Sequence, residues 1–221
     1  MAKQLHEDAV LVVGLGRFGG AIATTLVRLG HQVLAVDRDP TLVQEFSTEL
    51  THVVEADATS TSAMRQLGAA DFDFAVVGIG TGIEASILSS SVLIELGVKE
   101  VWAKAITSAH GKILDRIGVT HVVYPEHDMG GRVAHLLTGR MIDFIEFDDG
   151  FAIVKTRTPR EAVDRSLGES GLRRKYGVTI VGIKRPGQDF TYAQADTVVH
   201  DGDLLIVSGK TNLVERFAAL T

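Results

Sequence analysis

Cysteine is absent from the 221-residue chain. Disulfides, thiolate catalysis and cysteine-based zinc sites are thereby excluded, and a reducing, cytosolic setting fits best. Long apolar runs are missing too: none approaches the roughly 18 residues needed to span a bilayer. The opening stretch "MAKQLHEDAV" has no hydrophobic segment of the kind a signal peptide carries. There is no excess of positive charge. Twenty-two Lys and Arg face 28 Asp and Glu, for a formal charge of −6, the wrong sign for a protein held to nucleic acid through its phosphates. Neither G-x-S-x-G nor a full G-x-x-x-x-G-K-[ST] loop occurs, and the 8 histidines show no H-x-x-x-H spacing.

What is present begins with "AVLVVGLGRFGGAIATTLVRLGHQVLAVDRD", residues 9–39. Short, continuous apolar runs recur at Val10–Val13, Val33–Val36, Val53–Glu55, Phe74–Val77, Val101–Ala103 and Thr120–Tyr124. Continuous rather than alternating runs predict parallel strands buried on both faces. Helix-compatible segments lie between them, at Gly20–Leu29, Leu42–Leu50, Glu84–Leu96 and Ser108–Ile117. Four times an aliphatic residue and a glycine precede a strand, which makes Gly30, Gly68, Gly97 and Gly118 candidates for the left-handed residue that closes a helix. This rhythm predicts an α/β fold, a Rossmann-type doubly wound parallel sheet.

After Tyr124 the texture changes. Pro125 is expected to break the chain before an amphipathic connector helix with Val133, Leu136, Leu137 and Met141 on one stripe. Beyond it come short strands. "GVTIVGIKRPGQDF" and "TVVHDGDLLIVSGK" read as two strand pairs turning at Pro186-Gly187 and Asp201-Gly202. The expected division is residues 1–140, nucleotide-binding domain with crossover helix, and 141–221, a small β-rich α+β domain.

Gly14-x-Gly16-x-x-Gly19 follows a predicted strand and opens a predicted helix. The first glycine permits the tight turn, the second lets backbone approach phosphate, and the third lets helix pack on strand. The helix N-terminus then offers free N–H groups to an anion. Asp37, at the end of the second strand, is placed to accept ribose hydroxyls and to repel a 2′-phosphate, while Arg38 beside it works against that repulsion. Arg17 lies inside the loop, either reaching terminal phosphates or standing as a solvated arginine. Asp57–Thr59 and Gly78–Gly82 end the third and fourth strands, flanking the crevice or serving as plain turns. Lys104 ends the fifth strand, to meet phosphate or solvent. Glu126 ends the sixth, to hold a divalent cation or to favour a helix dipole.

A dehydrogenase also needs an acid or base beside the nicotinamide. The small second domain brings one histidine, His200, in the turn "VVHDGD", and no catalytic constellation accompanies it. A small NAD-dependent oxidoreductase and an NADH redox sensor are therefore the alternatives to a nucleotide-sensing module. A redox-sensing repressor would want a winged helix and a basic face, and neither is in evidence.

"VVGLGRFGGAIATTLVRLGHQVLAVD", "EADAT", "VWAKA", "YPEHDMGGRVA" and "SLGESGLRRKYGVTIVGIKR" together resemble the RCK regulatory subunits of Ktr/Trk-type bacterial potassium uptake systems, built of TrkA-N plus TrkA-C domains. The resemblance runs from Val10 to the last strand, and one copy of the two-domain unit makes it KtrA-like rather than tandem Trk-like. It implies a non-enzymatic gating ring, an octamer built from dimers, docked peripherally on the cytoplasmic face of a KtrB/TrkH-like membrane K⁺-translocating subunit. It implies ATP favouring the active state and ADP the inactive one, with NAD(H) possible at the same site. By position, Gly14, Gly16, Arg17, Phe18 and Gly19 would form the phosphate loop and Asp37 would hold the ribose. Arg38, Asp57, Ala58 and Thr59 would surround the adenosine, and Gly78, Ile79 and Gly80 would close the crevice. Arg17 would sense the γ-phosphate across a dimer, Lys104 would lie near the phosphates, and Glu126 would bind a divalent cation, Mg²⁺ or Ca²⁺. The C-terminal domain would dimerise and, in some members, bind cyclic di-AMP.

Overall fold

The computed structural model describes residues 9–137 and 141–221. The chain divides into two compact units, the first ending at Glu126 and the second running from His127 to Thr221.

The first unit is built on six strands: β1 (Ala9–Val13), β2 (Gln32–Asp37), β3 (His52–Glu55), β4 (Phe74–Val77), β5 (Glu100–Lys104) and β6 (His121–Val123). They pair in parallel in the order β3-β2-β1-β4-β5-β6. Helices α1 (Arg17–Arg28), α2 (Pro40–Phe46), α3 (Thr61–Gln66), α4 (Ile83–Glu95) and α5 (Ser108–Ile117) supply the crossovers. Successive strand residues point to opposite faces, so both faces of β1 are apolar. Leu11 and Val13 enter a core with Ala75, Val77, Val101, Leu93 and Leu114. Val12 enters another, with Leu15, Ala23, Val33 and Ala35. Each such side chain contributes about 1.5–3 kcal/mol by leaving water.

The four helix-closing glycines carry positive φ, from 73° at Gly68 to 96° at Gly118, the left-handed backbone that only glycine adopts cheaply. Helix α1 starts three residues earlier than the apolar pattern places it. Gly16, extended at φ −60° and ψ −176°, serves as its N-cap, and the Gly16 carbonyl already accepts from the Gly20 N–H at 2.8 Å. The short helix α3 had no periodic signal, since only Met64 is buried; the Ser60 hydroxyl starts it by accepting from the Ala63 N–H.

Helix α6 (Pro125–Leu137) leads into the second unit. Pro125 opens this helix rather than breaking the chain, as a residue with no N–H to lose can at a first helical position. Residues 138–140, with the connector's expected end at Gly139, lie outside the described residues, and Met141, expected on the connector's stripe, is not helical but is buried in the second unit's core. The second unit continues with β7 (Asp143–Phe147), β8 (Phe151–Arg157), β9 (Arg165–Ser166), α7 (Leu167–Ser170), α8 (Leu172–Tyr176), β10 (Thr179–Lys184), β11 (Phe190–Tyr192), β12 (Val198–Val199), β13 (Leu204–Lys210) and α9 (Thr211–Ala218). Five strands form an antiparallel sheet in the order β11-β10-β13-β8-β7. Alternation along β8 and β13 buries Ala152, Val154, Thr156, Leu205 and Val207, with Val214 and Phe217 of α9 completing the core.

The first expected strand pair is present: β10 and β11 join through the Pro186-Gly187 turn. The second is not. β12 pairs with β9 and β13 lies between β10 and β8, so the Asp201-Gly202 turn links two sheets. The reason lies in Asp203, 2% exposed, which bends the chain there. Its carboxylate accepts from the His200 N–H at 2.9 Å and the Arg185 Nε–H at 3.3 Å.

Candidate nucleotide site

In an open α/β sheet the ligand crevice lies beyond the carboxyl ends of the strands, where the strand order reverses. Here that point falls between β1 and β4. Backbone meets backbone there without side chains between. A Cβ on Gly19 would stand 1.8 Å from the Gly14 carbonyl oxygen, and one on Gly78 would stand 2.9 Å from the Gly19 Cα. Gly14 turns with φ +89°. Gly16 differs, because its Cβ would meet nothing within 4 Å. It fronts open space, as a residue that lets phosphate approach must. Arg17, Phe18 and Gly19 follow as the first turn of α1, whose leading N–H groups have no partner within the helix.

Asp37, at the end of β2, is half-buried and already engaged. Its Oδ2 accepts from the Leu15 N–H at 2.6 Å and its Oδ1 from the Asp39 N–H at 2.8 Å. The carboxylate thus locks the glycine turn to the strand beside it, while each oxygen keeps a lone pair for an incoming hydroxyl. Leu15 carries no sequence signal for this, because the contact uses its backbone. Arg38 is exposed next door. At the end of β3 the exposed Asp57 accepts from the Thr59 hydroxyl at 2.7 Å and the Thr59 N–H at 2.9 Å. These two bonds, with the charge of Arg38, hold its carboxyl below the ordinary 3.8. Ala58 is buried in the core, so only its backbone faces the loop.

At the opposite wall Ile79 lies against Gly14 and Gly80 is exposed. Lys104, at the end of β5, brings the parts together. It is 9% exposed, and its Nζ lies 5.8 Å from the centre of the Phe18 ring. A Cβ on Gly80 would be 3.2 Å from the same nitrogen. Nζ also donates to Glu126 Oε1 at 2.5 Å. The parallel register explains the meeting, since Lys104 pairs with Val123 and Glu126 follows three residues after that strand ends. Lys104, with Arg17 contributing a smaller charge effect, holds the Glu126 carboxyl below its ordinary 4.5. This pairing was not legible from residue types alone.

No three His, Asp or Glu side chains stand together as a metal-holding group among the described residues. Glu126 therefore offers one carboxylate, already bonded to an ammonium. A divalent cation there would take its remaining ligands from phosphate or from another chain.

The sequence matches the TrkA-N domain over residues 10–125 and the TrkA-C domain over residues 152–221. It is 38% identical to the Ktr system potassium uptake protein C of Bacillus subtilis (strain 168) over 93% of this chain and 94% of that one. To the Ktr system potassium uptake protein A of the same organism it is 35% identical over 97% of both. The GsuK channel bound to NAD shares the fold, with a TM-score of 0.66 at 18% identity, over 96% of this chain and 39% of the channel. With a doubly wound sheet, an open glycine turn and relatives aligned nearly end to end, the chain belongs to the RCK regulatory subunits of Ktr/Trk-type potassium uptake systems, assembled from a TrkA-N and a TrkA-C domain.

Proposed function

We propose that this subunit senses adenine nucleotide, with ATP and ADP favouring different states of a ring that gates potassium uptake. The observation that carries the reading is Lys104, nearly buried yet holding its ammonium between Phe18 of the glycine turn and Gly80 of the facing loop. A cation kept out of water at that crest suits terminal phosphates, and the exposed Arg17 adds a second, flexible one. A ligand shifts an equilibrium only by binding its states differently. The γ-phosphate is the group that ATP has and ADP lacks. Its extra charge, bridged to Glu126 by Mg²⁺ or Ca²⁺, is the differential contact. No hydrolysis is needed for this, and the regulatory relatives favour a non-enzymatic role.

Calorimetric titration of ATP, ADP, NADH and cyclic di-AMP, with and without Mg²⁺ or Ca²⁺, tests the reading. We expect both adenine nucleotides to bind, the cation to strengthen ATP alone, and Arg17→Ala to weaken ATP by about tenfold and ADP far less. NADH binding with ATP excluded would overturn it and favour the redox-sensor alternative. That alternative draws support from Asp37, whose free lone pairs suit a ribose diol, and from the NAD-bound channel of like fold. A second-messenger role for the C-terminal unit rests on the family resemblance alone.

The partners follow from the same reading. No described helix is long and apolar enough to cross a membrane, so the K⁺ pathway would belong to a separate KtrB/TrkH-like subunit on whose cytoplasmic face the ring docks. A second copy of this chain suits the sheet face bearing Phe74 and Trp102, 39% and 38% exposed. His121 stacks on Trp102 there at 4.0 Å. Dimers joined at this face and through α6 would build the octamer.

A further inference from the structure

We infer that Glu126 acts as a stand-in for phosphate: in the nucleotide-free subunit it occupies Lys104, and an incoming terminal phosphate must take Lys104 from it. The inference rests on the nucleotide-binding reading above and adds a competition that the reading does not require.

Lys104 has an 11% exposed side chain and Glu126 a 66% exposed one. The ammonium is therefore the fixed partner and the carboxylate the movable one. Without an anion beside it, a nearly buried ammonium is unfavourable, and the 2.5 Å bond to Glu126 supplies that anion. The same Nζ faces Phe18 and Gly80, the two walls between which phosphate would sit. The ammonium already has Glu126 as an anionic partner, and a phosphate between Phe18 and Gly80 would contend for the same nitrogen. Phosphate and carboxylate thus compete. Glu126 lies in the first turn of α6, the helix that leads out of the first unit. Its release is thus a local event at the start of the connector.

Competition gives a prediction opposite in sign to that for a helpful ligand. Binding in chelator is weakened by the fraction of subunits whose Lys104 is occupied. Glu126→Gln should therefore tighten ATP and ADP in EDTA, by about fivefold for a pair formed most of the time, and should abolish any strengthening by Mg²⁺. A carboxylate near phosphate also repels it through space, and the double variant separates the two effects. In a Lys104→Gln background, release of the lysine predicts that Glu126→Gln brings no further gain, whereas simple repulsion predicts that the gain survives. Glu126→Asp, which draws the carboxylate back by one methylene, should show a smaller gain and guards against a poorly folded Gln variant. Calorimetry on the full chain in EDTA gives the affinities of all five proteins. Wild-type protein that binds neither nucleotide would overturn the nucleotide reading and this inference together. Wild-type binding with unchanged or weaker affinity in Glu126→Gln and Glu126→Asp, or a gain that persists without Lys104, would overturn the inference and leave the reading standing.

Discussion

The glycines of the turn differ in what a single methyl would do. At Gly19 it would sit 1.8 Å from a carbonyl oxygen that cannot withdraw without reshaping the turn. Gly19→Ala is expected to cost about 3 kcal/mol in urea unfolding, as overpacked cores do, and to remove nucleotide binding. At Gly16 the methyl meets open space and the backbone is one any residue adopts. Gly16→Ala should leave the urea midpoint nearly unchanged while weakening nucleotide affinity by tenfold or so. Equal loss of stability in both variants would contradict the idea that one glycine serves packing and the other the ligand. The motif's spacing already pointed to phosphate approach for Gly16 and packing for Gly19; what it could not give is the neighbour at Gly19, the Gly14 carbonyl oxygen of the same turn.

At the scale of elements, the second unit is tied by Glu161. Its carboxylate accepts from the Lys175 ammonium and from the Tyr176 hydroxyl at the end of α8, and Tyr176 packs edge-on against Phe217 of α9 at 5.5 Å. The Lys175 and Tyr176 bonds hold the Glu161 carboxyl below its ordinary 4.5. A depressed carboxylate stabilises the fold fully above its unfolded value, and the contribution is lost as pH falls through the folded value. Thermal midpoints between about pH 7 and pH 3 should therefore fall more steeply for wild type than for Glu161→Gln. The effect is modest, since the side chain is 37% exposed. Parallel slopes would show that the bonds do not persist in solution. These helices illustrate what sequence reveals and conceals. Strands β1 to β6 and the helix closures at Gly30, Gly68, Gly97 and Gly118 were legible, because apolar runs and left-handed turns are local. Helix α9 has no clear local signal, since it is eight residues long and its buried Val214, Phe217 and Ala218 gain meaning only against β8 and β13. The β9–β12 pairing was hidden for the same reason, as it joins residues more than thirty positions apart.

At the scale of the molecule, the site was legible as a list and not as an arrangement. Gly14, Asp37, Lys104 and Glu126 were all named from strand-end positions. The bond from Lys104 to Glu126 and the grip of Asp37 on Leu15 needed the parallel register that stacks one strand end beside the next. The exposed Phe74 and Trp102 suggest that one chain is not the working unit. Trp102→Glu should shift the mass measured by light scattering toward the monomer without altering the far-ultraviolet dichroism of the fold, and unchanged mass would place the subunit contact elsewhere. The proposed sensing requires an assembly that can take two shapes. The most direct test is small-angle scattering of the full-length protein, first saturated with ADP and then with ATP and Mg²⁺. Nucleotide sensing predicts two distinct profiles at equal mass, with the ATP profile reverting when ADP displaces it. Superimposable profiles, with both nucleotides shown to be bound, would contradict it.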